Sequence, residues 1–235
     1  MNRLNLMTAL ALTLPAMAMA GTVESRIEKT VAPVIGAPVE AINKSPYAGL
    51  YEVVTPRGIA YTDKEGKFLI FGATVVDVQS RKNLSEQRLN ELGAFKFADL
   101  PLADAVKTVY GDGSRVLVTI EDPNCGYCKR LDGELAKVKN VTIYTLLYPI
   151  LAEDSLKKSQ AVWCAPNRSQ AWTDHMINGK ALPEKVDCDT PIERNVALAR
   201  KLRVMGTPAL LFPSGERVPG AISAEQIETK LAARK

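Results

Sequence analysis

The strongest constraint on this chain is an apolar run that ends beside two closely spaced cysteines. Residues 115–121 form a stretch typical of a buried central strand, and residues 126–138 carry apolar side chains on one helical face. A second apolar strand is indicated at 141–150. The run Cys125-Gly126-Tyr127-Cys128 therefore lies between a strand and a helix, at the turn of a predicted β-α-β unit.

This position favours reactive chemistry at the first cysteine. A helix N-terminus presents unpaired N–H groups and the positive end of the helix dipole, and both stabilise a thiolate relative to a thiol. Lys129 and Arg130 add positive charge within one turn, and Asn124 is a capable N-cap. Because thiolates attack disulfides, we predict that Cys125 is the nucleophile and that Cys128 resolves a mixed disulfide.

Two other interpretations of the cysteines stay open. A purely structural Cys125–Cys128 bridge would close a loop too small to constrain the unfolded chain strongly. A zinc site would need all four cysteines, but Cys164 and Cys188 do not form a second close pair. If the first pair is catalytic, Cys164 and Cys188 form a structural disulfide by elimination, linking a helix to a loop. We expect neither a metal nor a cofactor.

A second motif, Gly206-Thr207-Pro208-Ala209, begins an apolar strand near the C-terminal end. Proline is tolerated at the first position of a strand, and an X-Pro bond in such a place can be cis. Thr207 and Pro208 would then present backbone groups to an extended peptide. With the two-cysteine helix in the same chain, we predict a substrate-binding loop here, the alternative being an ordinary strand-start proline.

Three other titratable residues lie near the predicted site or within the helical segments. Glu121 and Asp122 end the strand before the cysteines. Charged residues at strand ends are most often solvated, although either acid could influence proton transfer during exchange. His175 is the single histidine and lies in a helical stretch far from Cys125 in sequence, so we expect it to pack or to lie at the surface.

The remaining sequence predicts three parts: an α+β domain at 21–80, a linker helix at 81–94, and a thioredoxin-like α/β domain with a helical insertion at 95–235. The first domain has few large apolar residues, so a second copy of the chain is expected to complete its core. In it, Pro33 closes a helix at 22–33. Strands are expected at 51–55, 59–62, 67–71 and 73–78. Within the third part, the segment 97–113 contains a short predicted helix at 102–110, with no assigned purpose.

Residues 1–20 have the pattern of a secretory signal peptide, with Arg3 before an apolar run and Ala18-Met19-Ala20 at its end. A membrane anchor is the alternative. Export would bring the cysteines into an oxidising compartment, where disulfides persist. The formal net charge of +4 is mild, and basic and acidic residues alternate along the chain, so we expect no nucleic-acid partner.

Together these features resemble the DsbC family of bacterial disulfide isomerases. The resemblance covers the whole chain after the signal peptide. The matching runs are Cys125-Gly126-Tyr127-Cys128, Trp163-Cys164-Ala165, Cys188-Asp189, Gly206-Thr207-Pro208-Ala209 and Val218-Pro219-Gly220. By position, Cys125 matches the nucleophile, Cys128 the resolving cysteine, and Thr207-Pro208 the cis-proline loop.

The resemblance implies a V-shaped homodimer joined through its N-terminal domains, with two thioredoxin-like domains facing a shared cleft. It implies that the cleft binds misfolded or wrongly bridged exported proteins with chaperone-like activity. It also implies a Gram-negative periplasm and a membrane reductase of the DsbD type that keeps the cysteines reduced. A DsbG-like reductase that protects single cysteines from sulfenic acid formation, or a non-catalytic chaperone, is the alternative function.

The sequence departs from the family pattern just before the cysteines. Glu121-Asp122-Pro123-Asn124 stands where the best-known member has Thr-Asp-Ile-Thr, and Pro123 could alter the redox balance. Thr119 stands where thioredoxin has a buried acid. We therefore expect that buried acid to be missing here.

Overall fold

The computed structural model describes residues 22–47, 49–183 and 188–233. The predicted signal peptide lies outside these ranges. Within them, the strands form one sheet of four and one of five, the first before and the second after the linker helix. None of the helices in the described ranges is long and apolar enough to cross a membrane.

The first unit is a helix followed by an antiparallel sheet. Its helix α1 spans Val23–Ile35, and its strands are β1 (Ala41–Lys44), β2 (Tyr51–Thr55), β3 (Gly58–Thr62) and β4 (Ile70–Phe71). The strands pair antiparallel with their neighbours in sequence order. The sheet is thus a simple meander, with β4 at one edge.

Helix α1 packs on this sheet through residues spaced four apart. Ile27, Val31 and Ile35 are buried against the sheet in a single apolar cluster. The expectation that Pro33 closes the helix is wrong, because α1 continues to Ile35. Burial of Ile35 offsets the one backbone hydrogen bond that proline cannot donate, and Gly36, at φ +60°, ends the helix.

Two strand predictions in this unit were wrong in extent, and one strand was missed. Of the stretch 67–71, only Ile70–Phe71 pairs with β3. Residues 73–78 form no strand, since their only ladder contact is an isolated bridge between Val76 and Asn83. This segment lies instead against the start of the next helix, where the Leu84 N–H donates to the Val75 carbonyl at 2.8 Å. Strand β1 was not predicted.

The linker helix α2 spans Leu84–Leu92. The Asn83 side chain caps it by accepting a hydrogen bond from the Glu86 N–H at 3.0 Å. The Arg88 guanidinium of this helix pairs with Glu52 of β2 at 3.1 Å. The predicted helix is therefore present and is tied to the first sheet by an ion pair.

The second unit is an α/β domain with a central five-stranded sheet of order β5-β7-β6-β8-β9. Strand β6 pairs parallel with β7 and antiparallel with β8, which gives a thioredoxin-like sheet. Its elements are, in chain order, β5 (Val106–Tyr110), β6 (Arg115–Glu121), α3 (Gly126–Leu135), β7 (Val141–Leu147), α4 (Ser155–Cys164), α5 (Arg168–Met176), α6 (Ile192–Lys201), β8 (Ala209–Leu211), β9 (Arg217–Pro219) and α7 (Ala224–Ala232).

The helix predicted at 102–110 is wrong. Leu102–Asp104 forms a single 3₁₀ turn, and Val106–Tyr110 forms strand β5 at the edge of the sheet. Burial alternates along β5, with Val106 and Thr108 facing inward and Lys107 and Val109 exposed. This alternation of buried and exposed residues is typical of a strand with one face buried. The apolar residues alone would also fit the spacing of a helix.

The side chains on the two faces of β6 pack in different apolar clusters. Leu117 packs with Leu131 and Leu135 of α3 in one cluster. Val118 and Ile120 pack on the opposite face, in a cluster that includes residues of α6. Because successive strand residues alternate between faces, every second residue from Leu117 onward faces α3.

Candidate active site

The two closely spaced cysteines lie where β6 passes into α3. Cys125 is itself the N-cap of α3, since its Sγ accepts a hydrogen bond from the Cys128 N–H at 3.1 Å. A helix N–H and the helix dipole therefore both point at this sulfur, an arrangement that favours its negative form.

The prediction that Asn124 caps this helix is wrong. Its side chain turns away and donates to Asp154 at 2.8 Å and to Ser155 at 2.9 Å. It also accepts a hydrogen bond from the Lys158 ammonium at 2.6 Å. Asn124 thus ties the active-site turn to the start of α4, and the capping role passes to the cysteine.

The two cysteines differ in access to solvent. Both are free thiols, but Cys125 is 3% exposed and Cys128 is fully buried. Burial raises the pKa of Cys128, and the neighbouring Glu121 carboxyl raises it further. Cys128 is therefore held as a neutral thiol, and Cys125 is the one of these two buried thiols with any exposed surface.

The proline loop lies directly against the first cysteine. The Thr207–Pro208 peptide bond is cis. The Cys125 Sγ donates a hydrogen bond to the Thr207 carbonyl at 3.3 Å, across 82 positions of sequence. The fold thus brings the two sequence motifs together in one site. Gly126 and Tyr127 lie on its outer side, with Tyr127 67% exposed.

An apolar cavity of about 690 Å³ opens beside this loop. It lies between the two units, with Met205 and Thr207 on one wall and Ile59, Phe71 and Leu89 on the other. Arg203 spans the same junction, where it donates to the Thr55 carbonyl at 2.6 Å and forms an ion pair with a glutamate of the first unit.

Asp122, which the sequence presented as a solvated strand end, is fully buried. Its carboxylate accepts four hydrogen bonds of 2.7 to 2.9 Å. The donors are the Asn124, Ile150 and Leu151 N–H groups and the Ser155 hydroxyl. This carboxylate therefore joins the active-site turn to the segment that leads into α4.

Glu121 is also fully buried, but it is without such partners. Neither of its carboxyl oxygens has a hydrogen-bond partner among the described residues. Burial raises the pKa of Glu121, and the Asp132 carboxyl raises it further. Thr119 and Cys128 oppose this rise in pKa through polar contacts, but neither gives the carboxyl a hydrogen bond of ordinary geometry. As expected, no acid stands at position 119, but Glu121, two residues further along the strand, supplies a buried acid from a different position.

Asp132 was missed by the sequence analysis. It is 6% exposed, and its Oδ1 accepts a hydrogen bond from the Trp172 indole N–H at 3.3 Å. Burial raises the pKa of Asp132 to about 7. One sequence signal could have found it: Asp132 follows Cys128 by four residues, so the two share a face of the helix.

His175 has the packing role that the sequence favoured. It is 9% exposed, with its Nε2 2.9 Å from the Pro123 carbonyl oxygen and its Nδ1 3.1 Å from the Lys180 carbonyl oxygen. The ring lies behind the active-site turn and supports the backbone there.

Cys164 and Cys188 form a disulfide, with their Cα atoms 5.8 Å apart. This is the pairing that elimination predicted. It links the end of α4 to the loop before α6, and the neighbouring Trp163 indole N–H donates to the Asp189 carbonyl at 3.1 Å. Because these two sulfurs are bonded to each other, they are not available as thiolate ligands for the four-cysteine zinc site.

Comparison with known proteins matches both units. The family of thioredoxin-like domains matches residues 102–235, and the family of disulfide bond isomerase N-terminal domains matches residues 15–86. A probable thiol:disulfide interchange protein DsbC from Bordetella parapertussis is 43% identical over 196 residues, covering 83% of this chain and 69% of that protein. The thiol:disulfide interchange protein DsbC of Escherichia coli K12 is 28% identical over 204 residues, covering 84% and 82%.

A crystal structure of a disulfide interchange protein from Neisseria gonorrhoeae aligns with a TM-score of 0.54 and 36% identity, covering 57% of this chain and all of that one. The sheet, the thiol pair at a helix start and the adjoining proline loop define a thioredoxin-like disulfide oxidoreductase. With both units matched, the chain belongs to the DsbC family of thiol:disulfide interchange proteins.

Proposed function

We propose that this protein rearranges or reduces non-native disulfides in exported proteins, with Cys125 as nucleophile and Cys128 as resolving residue. Family membership gives thiol:disulfide interchange as the activity. The position of the Cys125 Sγ, between the Cys128 N–H at 3.1 Å and the Thr207 carbonyl at 3.3 Å, supports the assignment of roles.

The reaction begins when the Cys125 thiolate attacks one sulfur of a substrate disulfide. A new S–S bond joins Cys125 to the substrate, the old bond breaks, and the other substrate sulfur leaves as a thiolate. In isomerisation, a different substrate thiolate then attacks the mixed disulfide and Cys125 leaves as the thiolate. In reduction, Cys128 attacks the Cys125 sulfur, and the substrate leaves with a free thiol.

Substrate binding is assigned to the Thr207-Pro208 loop and the cavity beside it. An extended peptide that pairs with this loop would have its sulfur next to Cys125. The apolar walls formed by Met205, Ile59 and Leu89 suit an apolar side chain of the same segment. Misfolded proteins expose such side chains, so the surface supports chaperone-like binding.

The N-terminal domain match supports a proposal for the assembly. We infer a homodimer joined through residues 21–80, with 81–94 as linker and 95–235 as catalytic domain. Exported proteins with wrong disulfides are the substrates, and a membrane thiol reductase of the DsbD type returns the cysteines to the reduced state. The corresponding location is the periplasm after removal of residues 1–20.

Refolding of scrambled ribonuclease tests the proposal. Cys125→Ala is expected to abolish reactivation, because no other described free thiol reaches solvent at the site. Cys128→Ala is expected to retain isomerisation but to accumulate mixed disulfides that a non-reducing gel detects. Glu153→Ala, at an exposed position, serves as the matched control. Reactivation by Cys125→Ala at the wild-type rate would show that the chain acts as a chaperone without thiol chemistry.

A further inference from the structure

The face of β6 that packs on α3 carries a carboxyl at its end. Leu117 lies in one cluster with Leu131 and Leu135 of α3. Alternation along the strand then directs Thr119 and Glu121 to the same face. Glu121 is the last residue of β6, so its side chain lies beneath the first turns of the active-site helix.

The helix supplies the opposite side of this enclosure. Cys128 and Asp132 are four residues apart on α3, and both are buried. The titratable groups that act on Glu121 or respond to it are Asp132, Cys125 and Cys128 on α3 and Tyr110 on β5. All four are acids or thiols, and none carries a positive charge.

Glu121 contrasts with its neighbour Asp122, which accepts four hydrogen bonds. The one hydroxyl on the same strand face, that of Thr119, donates to the Thr145 hydroxyl at 3.0 Å instead. A buried carboxyl with no partner destabilises a fold by several kcal/mol when ionised. Its surroundings therefore stabilise the ionised form little, so a Glu121 carboxylate that has lost its proton is a strong base toward the neighbouring Cys128 thiol.

Cys128 needs such a neighbour. It is fully buried and neutral, so bulk water does not reach its proton. On the basis of the proposed thiol exchange, we propose that Glu121 accepts the proton of Cys128 when Cys128 resolves the mixed disulfide. The Asp132 carboxyl, which raises the pKa of Glu121, takes part in the same proton exchange.

The step balances in atoms and electrons. The step starts from molecules in which Glu121 has lost its proton. The Cys128 S–H proton passes to that carboxylate, and the resulting thiolate attacks the Cys125 sulfur. The Cys125–Cys128 bond forms as the Cys125–substrate bond breaks, and the substrate sulfur leaves with the electron pair. The substrate thiolate takes a proton from Glu121 or from solvent, so the net change is one thiol oxidised and one substrate sulfur reduced. In the reverse direction Glu121 returns the proton to Cys128.

The electrostatics of the site agree with this role. Burial raises the pKa of Glu121, and the nearby Asp132 carboxyl raises it further, so Glu121 is a stronger base than an exposed glutamate. The Glu121 carboxyl also raises the pKa of Cys128. Cys128 therefore loses its proton less easily, and its reaction depends more on an adjacent proton acceptor.

Stopped-flow oxidation of the full-length reduced protein by glutathione disulfide separates the two steps. The first forms the Cys125–glutathione mixed disulfide, and the second releases glutathione as Cys128 resolves it. Glu121→Gln is expected to slow the second step by on the order of 100-fold at pH 7, with the first step changed by less than about twofold. The remaining second-step rate should rise with hydroxide concentration up to alkaline pH. Glu153→Gln, an exposed acid, should match wild type in both steps.

Two further variants keep the test decisive if Glu121→Gln does not fold. Glu121→Asp, one methylene shorter, should slow the second step less than the glutamine does. Asp132→Asn should shift the pH profile of that step without abolishing it. A second step that is unchanged in rate and pH profile in these variants overturns the role of Glu121 alone. A wild-type protein that forms no mixed disulfide at Cys125 overturns the proposed function as well.

Discussion

At the scale of single residues, two adjacent carboxyls have opposite surroundings. Asp122 accepts four hydrogen bonds from groups on both sides of the active-site turn. Glu121, on the other face of the strand, accepts none from the described residues. One carboxylate organises the backbone, and the other is left free to exchange a proton.

Asp122→Ala is expected to lower the free energy of unfolding by about 3 kcal/mol, because three backbone N–H groups and the buried Ser155 hydroxyl lose their acceptor. Urea unfolding followed by circular dichroism measures the change. Glu153→Ala should change stability by less than about 0.5 kcal/mol, since its side chain is exposed. Equal stability of the two variants would show that the Asp122 hydrogen bonds do not hold the turn.

Because the Asp132 carboxyl is buried, we expect the stability of the fold to depend on pH. Burial raises the pKa of Asp132 to about 7, whereas in the unfolded chain the group titrates near pH 4. The folded state therefore binds a proton that the unfolded state has lost, and its stability falls as the pH rises from about 4 to about 7. The slope is at most about 1.4 kcal/mol per pH unit.

Asp132→Asn should remove this contribution while keeping an acceptor for the Trp172 indole. The free energy of unfolding of the variant, measured by urea titration at several pH values, should fall less steeply than that of wild type between pH 4 and 7. Parallel curves for the two proteins over this interval would contradict the assignment.

The sequence could predict that a cysteine pair lies at a helix start and that a proline begins a strand, because motif and local position define both. It could not predict the burial of Glu121 and Asp122. Charged residues after an apolar run are usual at solvated strand ends, and only the packing of α3 and of the segment before α4 encloses these two. Cys125 rather than Asn124 is the N-cap because of a tertiary contact. The Asn124 side chain instead donates a hydrogen bond to Asp154 at the start of α4.

At the scale of elements, the predictions succeeded where one periodicity dominates and failed where two compete. Strand β6 and helix α2 match their predicted positions closely. Strand β5 was predicted as a helix, because the spacing of its apolar residues fits a helix as well as a strand. Only its pairing with β7 makes it a strand. Residues 73–78 have strand-like composition, but no neighbouring strand pairs with them in the described structure.

The disulfide of the helical insertion yields a prediction at this scale. Cys164 and Cys188 are separated by 24 residues, so replacing both with alanine should lower the free energy of unfolding by about 3 kcal/mol. Turnover of a small disulfide substrate at 25 °C should persist, because the site cysteines are separate from this bridge. Urea unfolding and insulin reduction measure the two properties. Loss of exchange in a folded double variant would give this bridge a catalytic part.

At the scale of the whole molecule, the edge of the first sheet is the expected dimer contact. Phe71, 56% exposed, lies in β4 at the edge of its sheet, and Val78, 89% exposed, lies in the segment that follows β4. A self-association surface would bury this apolar edge.

Replacing Phe71 and Val78 together by lysine should raise the dimer dissociation constant by on the order of 100-fold or more, because two charges would be desolvated in the contact. Sedimentation equilibrium measures it. Val109→Lys is the matched control, since Val109 is 50% exposed on the edge of the other sheet and should leave the dimer intact. An unchanged dissociation constant in the double variant would exclude this edge from the interface.

The unequal depth of the thiols has a practical consequence. Cys128 is fully buried, and Cys164 and Cys188 are bonded to each other, so Cys125, at 3% exposed, is the one of the four sulfurs at which an electrophilic dye is expected to react in the native reduced chain. Labelling should therefore be stoichiometric at Cys125 without engineering. The same selectivity should direct covalent inhibitors to this sulfur.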